Sequence, residues 1–320
     1  MRTPFNWLAE RVTLGPRALR WGTTAALVMS VLIVLGGAVV RVTGSGLGCP
    51  TWPACDVSSV APTPALGIHG VIEFANRLFT GFLIVGVGWA IVAARLQKPR
   101  NRGTTRLAWS QFWLVVANAV AGGISVLAKL NPWVVALHFM LAIALLTTTT
   151  LTWHRARQPA TAAPNLGRPS SSLGWALVGC TLALVVVGTL VTGTGPHSGD
   201  SAQVNRMDFV WADVTVFHAV LGSITLLIAI ALWFTSGRDP NGALARRRTS
   251  FFIIVVVLQG AVGTVQALNG LPEALVAIHL LGASLVWIGA LRVLLDANPG
   301  LFRRHETVES VRAGNAVGAR

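Results

Sequence analysis

Residues 260–280, GAVGTVQALNGLPEALVAIHL, repeat a pattern that the chain also carries at residues 119–139, AVAGGISVLAKLNPWVVALHF. The two stretches align without a gap, share six identical positions, and both hold a histidine near their end. The similarity extends upstream, because TLVTGTGPHSGD at 189–200 resembles VVRVTGSGLGCP at 39–50. Self-similarity at a fixed spacing indicates a duplicated unit. We therefore predict two copies of a four-segment unit, each with a histidine near the start of its last segment.

The composition is that of a membrane protein. Hydrophobic residues make up 53% of the 320 residues and charged residues only 11%, against about 25% charged residues in soluble domains. A helix that crosses a bilayer needs about 20 apolar residues. We predict an all-α integral membrane protein whose eight transmembrane helices form two pseudo-twofold-related four-helix bundles. The apolar runs are 22–42, 67–95, 107–129, 132–153, 172–193, 212–236, 249–268 and 273–295.

The net charge of +14 does not indicate a nucleic-acid-binding protein, because the basic residues lie between the apolar runs and not along one face. Arginine and lysine cluster before the first run and after the second, fourth, sixth and eighth runs. The intervening loops carry few basic residues, among them Arg41, Lys129 and Arg206. This asymmetry predicts that both termini are cytoplasmic. The two halves then insert in the same orientation, because each has an even number of helices.

The same patterns divide the chain into five predicted parts. The stretch between the halves is rich in Pro, Ala and Ser and is typical of a flexible linker. The parts are a cytoplasmic N-terminal tail (1–21), an N-terminal four-helix half (22–154), a cytoplasmic linker (155–171), a C-terminal four-helix half (172–297) and a cytoplasmic tail (298–320).

Three histidines, His138, His218 and His279, fall inside predicted helices, roughly 8–10 Å from the outer surface at 1.5 Å per residue. An ionisable residue at this depth is costly unless it is partnered, so each is a functional candidate. The alternative for each is a structural histidine hydrogen-bonded across helices. His218 and His279 lie at matched depth in one half and suit a bis-histidine haem site. A zinc ion would need two further ligands, and the nearby sequence supplies no Cys, Asp or Glu.

The first half departs from this arrangement. His138 corresponds to His279, but the position of His218 falls near Asn76, and asparagine is a poor haem ligand. A haem in this half would have one protein ligand and an open sixth position, which suits chemistry better than electron transfer. Glu73 lies three residues before Asn76, so the two side chains share a helix face.

Charged side chains at the outer ends of the first two helices have two interpretations. Glu73 and Arg77 could form an ion pair that lets both enter the membrane. Alternatively, Glu73 faces a cofactor as a proton-handling group, while Arg77 holds a haem propionate, because guanidinium groups suit carboxylates. Arg41 is a second propionate candidate, and its alternative is a surface arginine that reaches the interface.

Two cysteines, Cys49 and Cys55, lie in the loop sequence CPTWPAC on the predicted outer face. A disulfide between them is predicted, because this face is oxidising and two prolines constrain the loop. The bond could be a structural staple or a labile redox pair.

With these features the chain resembles the haem A synthase family, membrane enzymes that convert haem O to haem A for cytochrome oxidase. The resemblance spans the membrane region. Its motifs are GGAVVRVTGSGLGCPTWPAC at 36–55, EFANR at 73–77, VVALHF at 134–139, TGTGPHSGD at 192–200, FHA at 217–219 and VAIHL at 276–280.

The resemblance implies a b-type haem on His218 and His279, and haem O as the substrate near His138. It implies that Glu73 acts in oxidation of a ring methyl group to a formyl group, which makes the protein an oxidoreductase acting on a CH group. It maps the family's outer-loop cysteine pair onto Cys49 and Cys55. The family pattern usually carries a histidine where this sequence has Asn76.

The resemblance also implies a cellular setting. The expected location is the plasma membrane, and the expected partners are membrane lipid, a haem O synthase that supplies haem O, and an electron donor. The product would serve cytochrome oxidase assembly, and a homo-oligomer is one assembly that the family allows. Two other classes stay open on the residues alone: a bis-haem electron-transfer cytochrome and a small-molecule transporter.

Overall fold

The computed structural model describes residues 4–158, 164–197, 199–200 and 205–302, which form an all-helical protein. Within these residues, eight helices are long and apolar enough to cross a membrane, which confirms the predicted fold class. A short helix, α1 (Pro4–Arg11), is not among the predicted elements. The long helices are α2 (Pro16–Val42), α3 (Gly67–Arg95), α4 (Arg102–Leu127), α5 (Pro132–Arg155), α6 (Arg168–Thr194), α7 (Trp211–Arg238), α8 (Ala243–Leu268) and α9 (Glu273–Ala297).

Local signals explain where the helices begin. α2 begins at Pro16, ahead of the predicted start at residue 22. Proline suits the first turn, because its φ is already helical and its missing N–H group would have no partner there. α5 begins at Pro132 for the same reason, and the side chain of Asn131 caps it by accepting a hydrogen bond from the Trp133 backbone N–H.

Helices that are neighbours in sequence pack against each other in both halves. α2 to α5 enclose one buried core, and α6 to α9 enclose a second. A third cluster lies in the seam between the halves, where α9 packs on α2 and α5. The buried Trp287 of α9 belongs to this seam, and its indole N–H donates to Thr147 Oγ1 of α5 at 2.9 Å. The pseudo-twofold relation between the halves stays a prediction.

The duplicated stretches end their first helices in the same way. After α4, Lys129 and Leu130 adopt positive φ angles of 51° and 54°, and after α8, Gly270 and Leu271 adopt 73° and 61°. The backbone N–H of each leucine donates to the carbonyl five residues earlier at 2.8 Å. This is the hydrogen bond that closes a Schellman turn. The aligned Leu130 and Leu271 therefore both close the turn that ends the preceding helix.

The two halves also meet through their longest loops. The Gly46 N–H donates to the Gly199 carbonyl at 2.7 Å, and Ser45 forms an isolated bridge with Asp200. We call this side of the molecule, where α2 ends and α3 begins, the loop end. The opposite side, where α2 begins and α5 ends, is the arginine end.

The five predicted parts of the chain stay predictions. Helix α2 starts within the predicted N-terminal tail, and α6 starts within the predicted linker. Residues 1–3 of that tail, residues 159–163 of the linker and residues 303–320 of the C-terminal tail lie outside the described residues.

Candidate functional site

Two histidines of the second half face each other across its bundle. His218 lies on α7 and His279 on α9, and the centroids of their imidazole rings are 6.4 Å apart. The Nδ1 atom of His279 is buried without a hydrogen-bond partner, whereas the His218 ring lies beside the Leu184 carbonyl. Two facing imidazoles inside a bundle are candidates for a site that binds something.

Three histidines of the long helices, His138, His218 and His279, each rest against a glycine of the preceding helix. A Cβ atom added to any of these glycines would lie 3.1 or 3.2 Å from the histidine Cε1 atom. Glycine therefore sets how closely the ring approaches the neighbouring helix. The pairs are Gly122 with His138, Gly188 with His218, and Gly263 with His279.

Asn76 occupies the fourth place of this kind. It lies on α3, and its Oδ1 atom abuts Gly36 on α2, the preceding helix. That oxygen is also buried without a hydrogen-bond partner. Four helical hairpins therefore share one arrangement, in which a side chain of the second helix rests on a glycine of the first. We call these four places the glycine seats.

The facing pair in the second half fits a metal held between two imidazoles. Metal–nitrogen bonds of about 2 Å, with the width of the two rings, give a centroid separation of roughly 6 Å, close to the observed 6.4 Å. Among the described residues, no group of three or more His, Cys, Asp or Glu side chains gathers as a metal site. Two imidazoles alone suit a metal whose other ligands come from a macrocycle, as in haem.

Polar side chains of α8 extend the second-half site. Gln259 and Gln266 lie four residues before and three residues after Gly263, on the same helix face. The Oε1 atom of each glutamine is buried without a hydrogen-bond partner, and Gln259 abuts Gly282 on α9. The two glutamines are not among the predicted site residues. The sequence signal that could have found them is an amide inside an apolar run.

Both carboxylate oxygens of Glu73 are engaged. Oε1 accepts from Arg77 Nη2 at 2.6 Å, and Oε2 accepts from the backbone N–H of Cys49 at 2.6 Å. The ion pair that the sequence offered as one interpretation is therefore present in this structure. It neutralises a carboxylate that is 6% exposed.

Arg77 holds the loop between α2 and α3. Its guanidinium donates to four backbone carbonyls of that loop at 3.1–3.3 Å, those of Cys49, Thr51, Pro53 and Ala54. Cys49 and Cys55 form a disulfide, as predicted, and both cysteines are buried. We call residues 49–55 the disulfide loop. Glu73 and Arg77 thus bind this loop as well as each other.

The disulfide loop reaches the histidine of the first half. The ring of Trp52 abuts Gly123 on α4. The preceding residue, Gly122, is the one on which His138 rests. Glu73, the disulfide loop and His138 therefore belong to one region at the loop end. Trp52 is not a predicted site residue, because nothing in the sequence indicates which helix the loop touches.

Arg41 lies at the end of α2 and points into the seam between the halves. Its Nη2 donates to the Thr192 carbonyl at the end of α6 at 2.8 Å, whereas its Nε is buried without a partner. The side chain borders a polar cleft of about 180 Å³ that both halves line, with His197 and Glu273 on the opposite side. A buried guanidinium with spare donors suits an anionic group.

Comparisons with known proteins agree on one family. The chain matches the family model described as "Cytochrome oxidase assembly protein" from residue 20 to residue 291. Three similar proteins carry the name heme A synthase. The one from Lysinibacillus sphaericus is 34% identical over 130 residues, which are 40% of this chain and 41% of that protein.

The other two differ in coverage. The protein from Macrococcus caseolyticus is 29% identical over 131 residues, 41% of this chain and 43% of that protein. The protein from Staphylococcus epidermidis is 22% identical over 296 residues, 82% of this chain and 92% of that protein. In the two more similar alignments the chain thus spans about two fifths of the relative's length.

Proposed function

The chain belongs to the family of cytochrome oxidase assembly proteins, and on that premise we propose that it is a haem A synthase. The reaction is oxidation of a ring methyl group of haem O to the formyl group of haem A. The family match over residues 20–291 and the name heme A synthase of the similar proteins support this proposal.

The observation that carries the proposal is the facing pair of imidazoles on α7 and α9. Their ring-centroid spacing of 6.4 Å fits two axial ligands of one haem iron. We assign His218 and His279 to a prosthetic haem b, which supplies one-electron chemistry when bound. The two histidines orient it, and Gln259 and Gln266 offer hydrogen-bond acceptors beside it.

The first half would hold the substrate, haem O. His138 offers one imidazole on its glycine seat, and Asn76 offers an amide where a second imidazole would otherwise stand. An amide oxygen is a weak ligand for iron, so this half keeps one coordination position open. This asymmetry between the halves supports assigning chemistry to the first half and electron transfer to the second.

Glu73 is the proton-handling group in this proposal. Conversion of a methyl to a formyl group replaces two hydrogens by one oxygen atom and is an oxidation, so an external oxidant must take up the electrons and protons must leave the site. Glu73 lies in the same region as His138, and its two oxygens accept from Arg77 and Cys49. Rearrangement of either hydrogen bond would expose an oxygen that can accept a proton.

Arg41 and Arg77 are the proposed propionate ligands, and their present contacts distinguish them. Arg41 has a buried Nε without a partner, so it can accept a carboxylate without losing another bond. Arg77 already donates to loop carbonyls and to Glu73, so a propionate would have to replace some of them. The disulfide loop lies beside the first-half site, because its Trp52 abuts Gly123.

The proposed setting follows from the same assignment. We place the protein in the plasma membrane with both termini cytoplasmic, in line with its basic loops. Its partners would be a haem O synthase, an electron donor and the assembly of cytochrome oxidase, and a homo-oligomer is compatible with this role. The N-terminal half (22–154) would be the substrate half, and the C-terminal half (172–297) the haem b half.

Pigment analysis tests the proposal. Haems extracted from membranes of cells that make both haem O and this protein would be separated by chromatography. We expect haem A in these cells, none in cells without the protein, and haem b in the purified protein. Haem b without any haem A would instead indicate an electron-transfer cytochrome, and a purified protein without haem would indicate a transporter.

A further inference from the structure

A cluster of charged side chains at the arginine end joins the two halves. Arg292 of α9 lies with its guanidinium carbon 4.5 Å from the centroid of the Trp153 ring on α5. Arg157, which follows α5, lies 4.3 Å from the centroid of the same ring. One indole from the first half therefore attracts an arginine from each half.

The positive charges of this cluster outnumber the negative ones. The charged groups close enough to act on Arg292 are Arg248, Asp296 and Arg157. Asp296 is already paired, because its Oδ2 accepts from Arg248 Nε at 2.9 Å. Among the described residues, Arg292 and Arg248 thus share Asp296, and Arg157 adds a further positive charge.

The arginines differ in how many of their N–H groups have a hydrogen-bond acceptor. Arg157 donates to the hydroxyl groups of Thr23 and Thr24 and to the carbonyls of Arg20 and Trp153. Arg292 makes no such bond within the described residues, and its Nε is buried without a partner. A buried guanidinium nitrogen without an acceptor is costly, so an acceptor from outside these residues is expected here.

Helix ends do not supply the missing negative charge. α5 and α9 both end near the cluster, and the C-terminal end of a helix carries a partial negative charge that acts within its last turn. The carbonyls of that turn in α5 already serve Arg157. Arg292 precedes the end of α9 by more than one turn, so it gains little from the end of its own helix.

We propose that this cluster, Arg292 and Arg157 on the Trp153 ring with Arg248 close to Arg292, binds the phosphate group of an anionic phospholipid at the seam between the halves. The cluster lies at the ends of membrane-crossing helices, where lipid headgroups are found. Basic pockets between transmembrane helices on a basic face bind acidic headgroups. The planar guanidinium fork matches two phosphate oxygens. A free phosphate ion has the same chemistry, and the experiment below separates the two sources.

The undescribed residues offer one rival. Residues 159–163, PATAA, carry no charge, whereas the C-terminal tail contains Glu306 and Glu309. A carboxylate from this tail could serve Arg292 in place of a lipid. The protein would then retain no anionic lipid, which the same measurement reveals.

The test is native mass spectrometry of the full-length protein purified in detergent, with phosphatidylglycerol, phosphatidylcholine or inorganic phosphate added. We expect one phosphatidylglycerol per chain to survive at activation energies that remove phosphatidylcholine. Arg292→Gln should weaken its retention about tenfold or more, a change of about 1.4 kcal/mol. Arg292→Lys should weaken it less, because the charge remains but the fork is lost.

Arg246→Gln is the matched control. Arg246 also lies against an indole at the arginine end, 4.1 Å from the centroid of Trp233, but on the hairpin of α7 and α8. We expect this variant to retain phosphatidylglycerol like the unmodified protein. Equal retention by Arg292→Gln and the unmodified protein would overturn the proposal, as would equal retention of both lipids. Retention of inorganic phosphate instead of lipid would show that the site binds a free anion, and this result too would contradict the lipid proposal.

Discussion

In each glycine seat, the absence of a side chain on the glycine determines how closely the candidate ligand approaches the neighbouring helix. In three of the four glycine seats, a Cβ atom added to the glycine would lie only 3.1 or 3.2 Å from the histidine Cε1 atom, so one added methyl group must move the ring slightly. The positions of the candidate ligands therefore depend on glycines that would not themselves bind the proposed haem. Such supporting residues commonly change metal affinity about 10- to 100-fold when they are altered.

Gly263 tests this dependence. Gly263→Ala places a Cβ atom 3.2 Å from His279 Cε1, so we expect a shifted or weakened haem b spectrum. Gly263→Val should lower the haem b content of the purified protein about tenfold. Gly260→Ala, one turn away on the same helix, meets nothing within 4 Å and is the control. Unchanged spectra in both Gly263 variants would show that the seat does not position the ring.

Glu73→Gln tests the proton-handling role. The variant keeps the shape of the side chain and an oxygen that can accept from Cys49, but it cannot take up a proton. We expect expression and the haem b spectrum to persist, while haem O accumulates and haem A falls at least about tenfold. Pigment chromatography measures this. Asp213→Asn, an exposed carboxylate at the start of α7, is the control. A normal amount of haem A in the Glu73→Gln variant would show that Glu73 has only a structural role, as a partner of Arg77 and the disulfide loop.

At the scale of elements, the hairpin turns show how the duplicated unit keeps its geometry. The turns after α4 and α8 each place two successive residues in the left-handed region, although only one of the four is glycine. A non-glycine residue there costs about 1–2 kcal/mol. Leu130 and Leu271 recur at the aligned position, so the turn conformation is the property that both copies share.

The turn of the first half can be improved, because Lys129 stands where the second half has Gly270. Lys129 is exposed and has a φ of 51°, so Lys129→Gly should stabilise the protein by about 0.5 kcal/mol after the entropy cost of glycine is subtracted. Gly270→Ala should destabilise it by about 1 kcal/mol. Thermal unfolding in detergent compares them. If both variants shifted the melting temperature in the same direction, the left-handed conformation would not explain their effects.

At the scale of the whole molecule, the seam joins two bundles that each have their own core. The hydrogen bond from Trp287 to Thr147 crosses the seam, where Trp287 is surrounded by apolar residues and Thr147 is half-buried. Because a hydrogen bond to a buried indole depends on direction and distance, it is stronger evidence of a fixed arrangement than an apolar contact. The arginine end and the paired long loops hold the same seam at its two ends.

Thr147→Val should weaken the seam, because it leaves the buried indole N–H of Trp287 without an acceptor. We expect a loss of about 1–2 kcal/mol in the free energy of unfolding, with both haem spectra preserved in the folded protein. Thr148→Val is the control, since the Thr148 hydroxyl donates only to the Leu145 carbonyl of its own helix. Equal melting temperatures of the two variants would show that the bond does not contribute.

The apolar runs were enough to predict all eight long helices, because crossing a bilayer dictates both length and composition. The helices begin earlier than predicted where their first turn is polar, because the prediction counted only apolar residues. Helix α2, which begins at Pro16, is an example. The internal repeat led to His138 and His279 as candidate site residues, and their function stays a prediction. The glycine seats were not predicted, because a glycine's contact depends on the rotation of the adjacent helix. The bond from Cys49 to Glu73 joins residues 24 positions apart and has no local pattern.

The glycine seats have a consequence for the evolution of the molecule. Because the space for each ring is made by the neighbouring helix, a ligand can be exchanged for a smaller side chain without rebuilding the bundle. Asn76 on Gly36 shows that a seat can hold a side chain other than histidine. In a protein with four such seats, single-residue changes can therefore alter one half while the other half keeps its geometry.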